Sequence, residues 1–221
     1  MLSNATRFRR TTAGLCLIFA PLFLLISNLI QTRAPVSIEN LLDAVTANAV
    51  ANEVSFGFAL YGFTLMIPAV IGIVHLLRHR SVALGHIGGT LLIAGMVSFA
   101  FVAGTESILY IAGADPTMNR EALVALNDRI GISVVYNIIN LTEVFGYLFG
   151  TIIFAIAIFR AKVVPGVIPI LLAVGIIARF TLASFYAGII VSDALYFAAF
   201  AFIGVFVLRQ SDDEWERPPD A

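Results

Sequence analysis

The sequence predicts an all-α membrane protein: a bundle of six transmembrane helices with both termini on the cytoplasmic side and two short amphipathic helices in the outer loops. Three observations predict it. Of 221 residues, 60% are hydrophobic and 12% charged, with mean hydropathy +0.97, far from a soluble domain with one apolar core. Six apolar segments, approximately 12–30, 55–77, 82–102, 132–159, 164–187 and 190–208, are each long enough for roughly 30 Å of hydrocarbon at about 1.5 Å per residue. With the N-terminus inside, nine of the thirteen Lys/Arg fall on that side: Arg7, Arg9, Arg10, Arg78, Arg80, Arg160, Lys162, Arg209 and Arg217. Arg33, Arg120 and Arg129 fall outside, and Arg179 lies within a helix.

The first segment has a basic start followed by an apolar run and reads as an uncleaved first helix. Cys16 lies within it as a small packing residue; a single cysteine excludes an internal disulfide framework or cysteine-based metal site. The short basic turns RHR (78–80) and RAK (160–162) close two helical hairpins, spans two with three and four with five. In the outer loop 37–54, Leu41, Leu42, Val45 and Ala49 recur at helical spacing. In 115–130, Leu123, Leu126 and Ile130 do the same after an Asp-Pro start, and both loops read as amphipathic surface helices. The order outer helix, span, basic turn, span thus occurs twice, over 37–102 and 115–187, and suggests a repeat of hairpins. Residues 1–209 form the transmembrane domain, and 210–221 (QSDDEWERPPDA) an acidic, solvated cytoplasmic tail.

Function is sought where polarity enters the apolar spans. At about 100° per residue, Tyr136, Asn140, Glu143, Tyr147 and Thr151 fall within an arc of roughly 80° on the fourth span. Beside them GYLFG (146–150) is a G-x-x-x-G pair that admits a close neighbouring backbone. Gly57, Tyr61, Thr64, Pro68, Gly72, His75 and His79 form a similar stripe on the second span, and the two stripes predict an interior polar seam.

Glu143 is the only charge between Arg129 and Arg160. Buried alone near a helix centre it would cost roughly 2.5 to 3.5 kcal/mol, so a partner is expected. Arg179 stands at matching height: each is about 17 residues, roughly 25 Å, from the basic turn between their helices. An ion pair or water-linked pair is predicted, in which Arg179 holds an anionic or carbonyl group or Glu143 carries a proton or cation, with Asn140 and Tyr186 lining the site. Glu106 and Asp193 read as acids of the outer edge. His75 and His79, at i and i+4, and His86 across the turn offer weak material for a metal or a b-type haem; no glutamate of a metalloprotease helix accompanies them.

The stretches ALGHIGGTLLIAG (83–95) and EVFGYLFGTIIFAIAIFRAKVVPGVIPILLAVG (143–175) resemble a bacterial family of small polytopic membrane proteins catalogued as domain of unknown function 4386. The resemblance covers about half the chain and implies a bacterial inner-membrane location, but no activity. A tryptophan common after the turn in that family is absent, where this chain reads VIPI.

The expected function is an intramembrane polar cavity that binds or transports a small or amphipathic molecule. A second reading is an accessory or sensor subunit that contacts another membrane protein or its own copies. A third is an intramembrane enzyme on a lipid or quinone with Glu143 as general base, although no nucleophile, metal motif or phosphate loop accompanies it. No nucleic-acid partner is expected.

Overall fold

The computed structural model describes residues 2–31, 38–182 and 184–216. Among them the chain is helical: α1 (Leu2–Ile30), α2 (Ile38–Ala47), α3 (Ala49–Leu77), α4 (Val82–Ala114), α5 (Arg120–Gly131), α6 (Val134–Ala161), α7 (Val167–Thr181), α8 (Tyr186–Arg209) and α9 (Asp212–Glu216). Five of these, α1, α3, α4, α6 and α8, are long and apolar enough to cross a bilayer. Large apolar side chains point outward around the bundle, among them Ile71, Val97, Phe101, Phe149, Ile170 and Val205, as a surface in contact with lipid requires.

The fifth apolar segment departs from expectation. α7 has 15 residues, about 22 Å at the usual rise, whereas the sequence predicts a span over 164–187. Pro165 and Gly166 delay its start, and it ends at Thr181, where Leu182 leaves the helical region and Phe185 is extended. Hydrophobicity continues across this break, which is why composition alone runs the helix through it.

The six apolar helices close a ring in the cyclic order α1, α3, α4, α6, α7, α8, each packed on its two neighbours. Glycine sets the closest contacts. A Cβ on Gly150 of α6 would lie 2.5 Å from the Leu92 backbone nitrogen of α4, and one on Gly95 of α4 would lie 2.6 Å from the Tyr147 nitrogen. The GYLFG pair therefore receives a neighbouring backbone, and that neighbour is α4. The half of the ring nearer the N-terminus is filled by Leu17, Met66, Val70, Leu92, Phe154, Ile158, Leu172 and Ile203.

α2 and α5 occupy the two outer loops as their spacing predicts. Leu42 and Val45 of α2 are buried against the bundle, whereas α5 buries no residue and is tied to α2 by Arg120 to Asp43 at 2.6 Å. The Asp-Pro pair does not begin α5: Asp115 accepts from Thr117 in a preceding turn, and Asn119 caps the helix by accepting from Ala122 N. The hairpin repeat survives in element order but not in size, because α7 is less than half as long as α4.

The acidic tail is not solvated as expected; through Glu216 it docks. α9 lies across the start of α1, with Arg9 to Glu216 at 2.7 Å and Arg10 to Asp212 at 3.0 Å. Trp215 is buried and stacks on His75 with ring centroids 4.6 Å apart, while Arg78 donates to the Trp215 carbonyl at 2.8 Å. One tryptophan and the nearby basic residues of α1 and α3 outweigh the segment's solubility. Residues 217–221, including Arg217, lie outside the described residues.

Candidate functional site

The half of the ring remote from the N-terminus is not filled. A cavity of about 220 Å³ lies there, lined by α1 (Leu24, Ser27, Asn28) and Gln31 just after it, α3 (Phe56, Ala59, Phe63), α4 (Phe99, Val102, Ala103, Glu106), α6 (Glu143) and α7 (Arg179). Phenylalanine and small aliphatic residues make its α3 and α4 walls, so the polar groups converge from the α1, α6 and α7 side and from Glu106. Ser27 and Ser55 bond to each other at 3.1 Å and join α1 to α3 at its edge.

Glu143 and Arg179 both reach this cavity, but they are not an ion pair. Arg179 Nη1 instead donates to Asp193 Oδ1 of α8 at 3.1 Å, and Asn28 Nδ2 of α1 donates to the other carboxylate oxygen at 2.8 Å. Asp193, read from the sequence as an edge acid, is buried and joins α1, α7 and α8. The correction has a local cause. Arg179 lies in the last turn of a helix that ends two residues later, and the chain reverses at once into α8, bringing Asp193 back beside it. A cation in a last turn also complements the helix dipole.

Glu143 is left over. Its Oε2 is occluded and has no hydrogen-bond partner, although the charges of both Glu106 and Arg179 act on it. Glu106, the other acid assigned to the outer edge, faces the same cavity. Among the described residues the site thus holds three carboxyl groups and one guanidinium, and the guanidinium is paired through Nη1 with one of the three.

The other candidates divide. Tyr147 is buried among Phe99 and Tyr196, with ring centroids 5.3 and 5.5 Å away, and Thr151 bonds to the Tyr196 hydroxyl; both fasten the bundle below the cavity. Tyr136 and Asn140 are half-exposed on the same helix and do not line the cavity.

Tyr61 and Thr64 contradict the predicted second stripe. Tyr61 is 68% exposed and Thr64 faces outward, its hydroxyl bonded to Leu60 O one turn back at 2.8 Å. The face of α3 that turns inward is the one carrying Ala59, Gly62, Met66, Ala69, Val70 and Ile73, whose size and apolarity suit the contacts with α1 and α4. Tyr186 lies beyond the break between α7 and α8 rather than on one continuous helix with Arg179. Its hydroxyl donates to the carbonyls of Asn28 and Leu29 at 3.3 Å, fastening the end of α1.

The histidines do not come together. His75 packs under Trp215, His79 is exposed, and His86 is exposed with Nδ1 2.8 Å from Val82 O. Among the described residues no three His, Cys, Asp or Glu side chains gather as a metal site.

Sequence reasoning missed Asn28, Asp193 and Glu106 as site residues. The available signal was the polar Asn28 in ISNLIQ, inside an otherwise apolar helix. No family model, curated protein or solved structure matches this chain.

Proposed function

We propose that the chain is a six-span protein of a bacterial cytoplasmic membrane whose cavity binds or transports a small or amphipathic molecule. The single observation that carries this reading is the occluded, partnerless Oε2 of Glu143 in a cavity of about 220 Å³. A carboxylate in such a place is expensive, and intramembrane ionisable groups mark ligand and ion pathways by default. The positive-inside asymmetry supports an inward N-terminus, so that the cavity lies in the outer half, and α7 serves as the sixth, shortened span. Kinship with the domain-of-unknown-function family belongs to the same proposal and adds architecture only.

Cysteine accessibility tests it. In a Cys16→Ser background, Ala103→Cys is expected to react with a charged, membrane-impermeant methanethiosulfonate reagent applied outside intact cells. Failure to react from either side of the membrane, with reaction only after unfolding, would mean a sealed structural void and would overturn the binding reading.

A further inference from the structure

The polar groups around the cavity also select among molecules, an inference that rests on the binding function proposed above. Among the described residues Arg179 is the only basic side chain lining the cavity, and the simplest expectation from it is an anionic ligand. The geometry points the other way. The Arg179 guanidinium donates through Nη1 to Asp193, and Asp193 is further held by Asn28, so the arginine's charge is already matched by a carboxylate in the wall. Across the cavity, Glu106 of α4 and Glu143 of α6 make no hydrogen bond or ion pair, and one oxygen of Glu143 is shut off from solvent. Among the described residues the lining is thus short of positive charge; its α3 and α4 walls are phenylalanine and small aliphatic residues apart from Glu106, and Ser27, Asn28 and Gln31 make a neutral polar side.

We propose that the cavity takes a small organic cation: an ammonium group placed between Glu106 and Glu143, with an apolar body along Phe56, Phe63 and Phe99. The ammonium donates to the partnerless carboxylate oxygens, and charge-assisted bonds of this kind are strongest in a site of low dielectric. The phenylalanine wall accepts the hydrocarbon part that lets such a molecule enter from a membrane. Specificity arises by exclusion as well: an anion would face the carboxylates of Glu106 and Glu143, while the one arginine of the described lining is already matched in charge by Asp193.

Calorimetry on the purified full chain tests the inference with three probes of nearly equal shape: phenethylammonium, 2-phenylethanol and phenylacetate. Phenethylammonium is expected to bind at least tenfold more tightly than either of the others. Glu106→Gln and Glu143→Gln are each expected to weaken that binding at least tenfold while the alcohol is unaffected. The ranking of probes on the unaltered chain is decisive even if a variant misfolds. Equal or tighter binding of phenylacetate or of the alcohol would overturn the choice of a cation and leave the binding cavity standing. If none of the three bound and none protected Ala103→Cys from labelling, both this inference and the binding function would fall.

Discussion

The two ends of this bundle treat charge in opposite ways. At the end that carries the N-terminus, the charges of α9 meet partners: Arg9 with Glu216, Arg10 with Asp212, Arg78 with the Trp215 carbonyl, all near the surface and over a filled core. In the remote half, fewer charges sit deeper, and the account does not balance: Arg179 and Asp193 pair, while Glu106 and Glu143 face a cavity with no partner. Paired charge near a filled core holds a fold in register. Unpaired charge beside empty space weakens the fold, and it is the feature on which the proposed binding function rests.

The contrast can be broken from the packed side first. Gly150→Leu would drive a side chain into the α4 backbone, where a Cβ alone stands 2.5 Å from Leu92 N. Overpacking against movable side chains costs typically about 1 to 3 kcal/mol, and backbone yields less, so the expected result is loss of the folded, monodisperse protein on gel filtration. Gly57→Ala, with nothing within 4 Å of its Cβ, is the control and should fold normally.

Asp193→Asn comes next. It strips the buried partner from Arg179 and should lower stability by about 3 kcal/mol, the low end for breaking a buried pair, because the arginine side chain is 24% exposed. Thermal unfolding in detergent measures it. Trp215→Ala should cost about 2 kcal/mol, confined to the docking of α9, and be seen as new protease cleavage after Arg209 with the melting of the bundle unchanged. Arg9→Ala should have the smallest effect, below about 0.5 kcal/mol and vanishing in high salt, since this pair is exposed on both sides.

Much of the architecture was legible in the sequence because its causes are local. Runs of apolar residues place α1, α3, α4, α6 and α8, and helical spacing finds α2 and α5. GYLFG announces a close contact by its composition alone. Glu143 was legible as an anomaly for the same reason: its surroundings along the chain are apolar whatever the fold. Its relation to Arg179 was not, since turning 100° per residue yields a face but not the neighbour that face meets. Asn28 and Asp193 are 165 residues apart, and only closure of α8 onto α1 brings them together. The stripe on α3 failed because Tyr61 turns outward and Thr64 bonds back to its own helix, so polarity there did not signal an interior. The tail failed because charge suggested solvation, while its basic counterparts Arg9, Arg10 and Arg78 lie between 137 and 207 residues away along the chain.

The most direct test sets Glu143→Gln beside Asp193→Asn in one thermal unfolding experiment without added ligand. Removing a partnerless carboxylate should leave stability unchanged or raise it by about 1 kcal/mol, whereas the aspartate variant falls. Comparable losses from both would contradict the account, since Glu143 would then be a structural member of the fold and the cavity would have no charge to offer a ligand.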